Sequence, residues 1–216
     1  MSLVGKPVER IEDLRLLRGR GQYVDDLHRE GMLHAALLRS PVAHGRLVGV
    51  EVSKAKTMPG VRAVFTAADL QPVPKIPLRL APLPELEKFE QPVIAQREVR
   101  YVGEPIALVV ADTLAQAEDA LEAIDLEIEP LAAVARREQG ELAIKYTAAK
   151  GDAVSVKAPY TRRERFSVQR HTAVCMEPRG LLAHWDGAKT KLTVAGAAKV
   201  PFATRRMLAK NMDLPE

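Results

Sequence analysis

Residues 100 to 131 read RYVGEPIALVVADTLAQAEDALEAIDLEIEPL, and the change of period along this stretch decides the fold. IALVVA, residues 106–111, is an unbroken apolar run of strand length, as a buried strand requires. Thr113 followed by Gln116 is a capping-box pattern, in which hydroxyl and amide satisfy free amide groups of a first helical turn. Leu114, Ala117, Leu121 and Ile124 then recur at helical spacing and form one stripe that should lie on the sheet. From Leu126 the period drops to two, with Leu126 and Ile128 on one side and Glu127 and Glu129 on the other, until Pro130 stops it. Strand, helix and strand in succession predict a β-α-β unit.

On the N-terminal side, GMLHAALLRS, residues 31–40, is nearly continuous in apolar residues and predicts a strand buried on both faces. GRLVGVEVS, residues 45–53, predicts a second strand with Val48, Val50 and Val52 on one side. SKAKTM is a short helical candidate, Pro59-Gly60 a turn, and VRAVFTA, from Val61, another strand. Between residues 71 and 98, Pro72, Pro74, Pro77, Pro82, Pro84 and Pro92 remove backbone donors and exclude long regular elements, so an extended surface excursion is expected. On the C-terminal side, residues 132–158 lose periodicity, which places a linker there and a boundary near residue 140. RERFSVQRHTAV, GLLAHWD and KLTVAGA, beginning at residues 163, 180 and 191, read as β segments, the last two joined at Asp186-Gly187. Pro201 suits a first helical position ahead of FATRRMLAKNM, because its fixed φ costs nothing there and its missing amide is not needed. No internal repeat is visible.

Composition bounds the function classes. With 47% apolar and 28% charged residues in 216, the chain is globular and can bury a core, filled by Leu, Val, Ile and Ala because aromatics reach only 4%. The net charge of +4 is too mild to imply nucleic acid. The arginine groups at Arg15/Arg18/Arg20, Arg162/Arg163/Arg165 and Arg205/Arg206 lack interleaved aromatics for base stacking and read as solvated faces. A single cysteine, Cys175, precludes an internal disulfide or a four-cysteine cluster made by this chain alone. The charged N-terminus and the lack of an 18-residue apolar run give neither signal peptide nor membrane span, so the cytoplasm is the expected compartment.

Few residues invite chemistry by themselves. Gly19-Arg20-Gly21 lacks the third glycine and the preceding strand of a dinucleotide fingerprint and reads as a turn. His28, His34, His44, His171 and His184 show no metal-ligand spacing, and His34 within its strand reads as a core or interface histidine. Cys175 stands four residues after His171; on a strand that spacing separates them by about 13 Å, so Cys175 reads as a small buried filler. Glu127 with Glu129, and Asp25 with Asp26, read as solvated carboxylates.

Taken together, RGRGQYVDDL (residues 18–27), GMLHAALLRSPVAHGRLVGVEVSKAKTMPGVRAVFTAADL (31–70) and the 100–131 stretch resemble the N-terminal α/β-hammerhead domain of the molybdenum hydroxylases. That family comprises xanthine dehydrogenase, aldehyde oxidase and the large chain of aerobic carbon monoxide dehydrogenase. FSVQRHTAVCMEPRGLLAHWD (166–186) and LTVAGAAKVPFATRRMLAKNMDLPE (192–216) are similar to the opening of its molybdopterin-binding region. The resemblance implies an α+β chain: a hammerhead domain with mixed sheet and packed helices over 1–138, a linker over 139–160, and over 161–216 the truncated start of a mostly-β molybdopterin-binding domain ending in a helix. A glycine-rich segment, a metal-facing loop and a general-base glutamate would follow in complete members.

Within the chain, the family's glutamine that hydrogen-bonds near the metal's oxo group aligns with Ala198-Lys199. Lys199 lacks the amide geometry and adds a charge, while Ala195 and Phe202 stand where a bulky aromatic and a histidine are usual. The resemblance therefore implies molybdopterin in the complete enzyme and none held by this chain alone. It implies as partners the rest of the molybdopterin-binding region and iron-sulfur and FAD subunits, with homo-oligomerisation open. A free-standing interaction subunit docking onto separate molybdenum or iron-sulfur chains is the alternative.

Overall fold

The apolar run at 106–111 is the middle strand of a three-stranded antiparallel sheet, and its two flanks come from the segments beginning at His34 and Val61. The computed structural model describes residues 3–78, 83–152, 155–169, 171–175, 177 and 179–216. Its elements in chain order are α1 (Asp13–Leu17), β1 (His34–Arg39), β2 (Gly45–Glu51), α2 (Ser53–Lys56), β3 (Val61–Thr66), β4 (Lys75–Ile76), β5 (Gln91–Pro92), β6 (Glu98–Val99), β7 (Pro105–Ala111), α3 (Leu114–Glu122), β8 (Asp125–Pro130), β9 (Leu181–Asp186), β10 (Lys191–Gly196) and α4 (Pro201–Met212). This is the α+β class. The chain divides into two compact units: Gly31–Pro159 with Ala209–Pro215, and Met1–Glu30 with Tyr160–Leu208 and Glu216.

In the first unit one sheet has the order β1-β7-β3 and a second the order β6-β2-β8, both antiparallel. Ala107, Val109 and Ala111 of β7 meet Ala117 and Ala120 of α3 and Ala55 of α2 in one fully buried cluster. These small side chains let the helices approach the sheet closely. Ile106, on the other face of β7, joins Ala95 and Val99 in a second cluster, backed by Leu47, Val50, Leu126 and Ile128 from the second sheet. Leu38 and Val50 touch both clusters, which ties the sheets into one core. Burying each Val or Ile side chain contributes about 1.5–3 kcal/mol.

The structure departs from the sequence reading at several elements. β7 and β8 flank α3 but pair in different sheets, so the predicted β-α-β unit is a strand, a helix and a strand that changes sheet. β1 is not buried on both faces; it alternates half-buried and exposed because it is an edge strand covered on one side by α3. The opposite face leaves the cross-strand row Leu37, Leu108 and Phe65 open in part. In β2 a register shift between Leu47 and Gly49 breaks the period, so Val48 is exposed while Leu47 and Val50 face the core. Among its described residues the proline-rich stretch holds the two-residue strands β4 and β5, the start of β6 and a 3-10 turn, Pro84–Phe89, yet Leu86, Ile94 and Ala95 are buried, so it contributes to the core instead of only crossing the surface.

Thr113 caps α3 as expected: its hydroxyl oxygen accepts from the Gln116 amide N–H at 3.2 Å. The Gln116 side chain does not complete the box; its oxygen accepts from the Thr113 hydroxyl at 3.1 Å. The buried stripe of α3 is Ala117 and Ala120, with Leu121 partly buried, and Leu114 is exposed at the first turn. At the crossing of β2 and β8 a side chain on Gly45 would lie 2.4 Å from Ile128 Cγ2 and 3.1 Å from the Glu129 carbonyl, so only glycine fits.

Two outcomes follow for urea denaturation. Ala120→Leu forces a side chain into the closed helix-sheet seam and should cost about 1–3 kcal/mol. Thr113→Ala removes the cap and should cost about 1 kcal/mol.

Candidate functional site

The position singled out by resemblance, Lys199, lies in the second unit, in the bend between β10 and α4, and is exposed. β9 and β10 form the predicted hairpin, with His184 opposite Thr193 and Trp185 opposite Leu192. Asp186 closes its turn by accepting from the Lys189 amide at 3.2 Å and pairing with its ammonium at 3.1 Å. These interactions, led by the hydrogen bond from the Lys189 side chain, hold the Asp186 carboxyl below the usual carboxylate range. A carboxyl lowered in this way supports the turn above its ordinary range and loses that effect as pH falls through its folded value. At the end of β10, Gly196 adopts φ +151, and a Cβ there would sit 2.6 Å from the Gly180 carbonyl oxygen. The hairpin can therefore close only on glycine. Val24 packs at the same end: its N–H donates to Glu177 Oε1 at 3.1 Å, and a Cβ on Gly180 would meet its Cγ1 at 2.9 Å.

Beyond the bend, Pro201 opens α4 as expected, with the Thr204 N–H donating to the Val200 carbonyl at 3.0 Å. Phe202 is exposed beneath the Arg205 guanidinium, 5.7 Å from its ring centre. Lys199 and Phe202 therefore face solvent, and Ala195 is half-buried in the hairpin.

Two other expectations are corrected. RERFSVQRHTAV forms no strand among its described residues; Phe166, Val168 and Val174 are exposed, with no neighbouring strand to pair their backbone. Cys175 is exposed, not a buried filler, and His171 is exposed too. His34 is half-buried on its edge strand. Among the described residues no group of three or more His, Cys, Asp or Glu side chains could hold a metal ion. Glu127 and Glu129 lie on the solvent face of β8, where Glu129 accepts from Arg46 at 2.8 Å, and Asp25-Asp26 form a 3-10 turn.

One buried titratable residue escaped the sequence reading. Glu104 is only 1% exposed; one carboxylate oxygen accepts the Arg100 amide N–H at 2.5 Å, and Oε1 has no hydrogen-bond partner among the described residues. Its carbonyl accepts from Ser40 at 2.9 Å, the Gly103 N–H donates to Ser40 at 2.8 Å, and Arg39 donates to the Gly103 carbonyl at 2.9 Å. Glu104 thus pins the turn that delivers the chain into β7. The signal available was a lone acid directly before Pro105 and an apolar strand, a place where nothing apolar could close the turn. Glu104→Ala should lose about 1–3 kcal/mol of stability, whereas Glu104→Gln keeps an acceptor for Arg100 and should stay close to the parent in a thermal melt.

Comparison with known proteins places both regions. Residues 18–132 match the family described as aldehyde oxidase and xanthine dehydrogenase, a/b hammerhead domain, and residues 134–216 match the molybdopterin cofactor-binding domain. The nicotine 6-hydroxylase large subunit of Paenarthrobacter nicotinovorans is 34% identical over 223 residues, covering 96% of this chain and 27% of that protein. The carbon monoxide dehydrogenase large chain of Afipia carboxidovorans is 32% identical over 237 residues, covering 96% and 29%. Among solved structures, quinoline 2-oxidoreductase from Pseudomonas putida 86 superposes with a TM-score of 0.79 at 35% identity, covering 96% of this chain and 28% of that one. The chain therefore spans less than a third of the length of the relatives it matches.

Proposed function

The chain belongs to the molybdenum hydroxylase large-subunit family of xanthine dehydrogenase, aldehyde oxidase and carbon monoxide dehydrogenase, and from that premise we propose that it supplies such an enzyme with its hammerhead domain and the opening of its molybdopterin-binding region. The observation that carries this reading is the order of the two matches, which together run from residue 18 to residue 216. The division into a hammerhead domain to residue 138, a connection over 139–160 and a molybdopterin-region segment from 161 is part of the same proposal.

The activity proposed for the complete assembly is oxidative hydroxylation of a small substrate such as a purine or aldehyde, or oxidation of carbon monoxide. The molybdopterin group supplies that chemistry when bound, and iron-sulfur and FAD subunits would take the electrons onward. This chain's own residues do not fit the group. Lys199 stands at the aligned glutamine position as a solvated cation with three donors and no acceptor, and Ala195 and Phe202 add no polar atom near it. No step of the reaction is therefore assigned to residues of this chain, whose role is to fold the hammerhead and to present the hairpin and α4. No described helix is long and apolar enough to cross a membrane.

The purified chain should retain no molybdenum by elemental analysis and should show no dye-linked oxidation of hypoxanthine or an aromatic aldehyde. Stoichiometric metal, or turnover of either compound, would sink the reading.

A further inference from the structure

Residues 18–30 fall within the hammerhead match, yet they belong to the compact unit that holds Tyr160–Leu208. The link is a short 3-10 turn, Val24–Asp26. Its own residues close it: the Asp26 N–H donates to the Tyr23 carbonyl at 3.1 Å, the Leu27 N–H to the Val24 carbonyl at 3.0 Å, and the Tyr23 N–H to the Asp26 carboxylate at 2.9 Å. In such a turn residues three apart eclipse one another. Val24 and Leu27 are accordingly half-buried together, while Asp25 and Asp26 between them are exposed.

What the turn does not supply is an acceptor for its first amide. The Val24 N–H finds one 153 positions along the chain, in Glu177 Oε1 at 3.1 Å. The side chain of the same residue lies so near Gly180 that a Cβ there would be 2.9 Å from Val24 Cγ1. Gly180 immediately precedes β9, and its carbonyl oxygen lies 2.6 Å from where a Cβ on Gly196, the last residue of β10, would stand. Two glycines thus let three backbone segments meet: the turn, the entry to β9 and the exit from β10. A two-stranded hairpin is only marginally stable by itself in water. Here the 23–27 turn braces the end from which the chain leaves towards α4.

We propose that residues 23–27 are a strap that holds the open end of the β9–β10 hairpin, so that the order of the hairpin depends on the contacts of Val24 with Glu177 and Gly180. The strap goes beyond the family reading and stands apart from it, because the order of the hairpin is measured on this chain with no cofactor or partner present.

Amide hydrogen exchange followed by NMR on the purified chain tests it. In the parent, the Val24 amide and the amides of β9 and β10 should be protected together. Gly180→Ala sets a methyl against Val24 Cγ1 and should speed exchange at residues 23–27 and across the hairpin at least about fivefold. Val24→Ala removes Cγ1 and leaves that methyl at an ordinary 3.5 Å from Cβ, so in its background Gly180→Ala should change the rates by less than about twofold. Glu177→Leu takes away the acceptor and should speed exchange at Val24 and in the hairpin, whereas Glu177→Gln keeps an accepting oxygen and should hold the parent rates. A Val24 amide that exchanges in the parent as fast as an unstructured peptide overturns the strap. So does a Gly180→Ala effect of equal size with and without Val24→Ala, or a Glu177→Leu effect confined to residues 23–27.

Discussion

The burial of β7 is the constraint on which the rest of the described structure depends. One face of the strand carries Ala107, Val109 and Ala111, the other Ile106, and each face needs its own cover. Helices α2 and α3 cover the first with alanines, and the second sheet covers Ile106 with Leu47, Val50, Leu126 and Ile128. β1 and β3 flank it and pair its backbone on both sides, and these are the strands whose side chains remain partly open. Glu104 belongs to the same constraint, because the turn it pins sets where β7 enters the core.

Periodicity made most of this legible. The 100–131 stretch yielded β7, the Thr113 cap, α3 and the facing of β8 because each rests on contacts within a few residues. What it could not yield was partner choice. A helix between two strands reads as a β-α-β unit whether or not the strands share a sheet, and only the long-range pairing of β8 with β2 decides against it. The exposed side of β1 escaped for the same reason, since HAALLR has one pattern whether one face is covered or two. The bulge at Leu47 to Gly49 shows the opposite failure: a period-two reading was correct until one extra residue turned Val48 outward.

The candidate site was legible only by resemblance. Nothing in the spacing of Ala198-Lys199 announces a cofactor contact, and the exposed bend in which Lys199 lies adds none. Cys175 illustrates how a residue type misleads, because cysteine is so often buried that a buried role was the natural inference, and the segment around it has no sheet to bury it in. The expected strand at 163–174 depended on neighbours in the same way. Alternating Phe166 and Val168 satisfy the pattern of a strand, but a strand exists only where another backbone accepts its hydrogen bonds.

This difference between the two regions bears on what family membership can transmit. The hammerhead signal is carried by side chains that meet one another within residues 31–131, so its fold follows from the sequence that shows it. The molybdopterin-domain match runs over residues 134–216, where the large side chains Phe166, Val168, Val174 and Phe202 face solvent. A fold is inherited with its contacts, but a cofactor site is inherited only with every residue that reaches the cofactor. Lys199 and Phe202 face solvent, and hammerhead packing does not register what stands at either position.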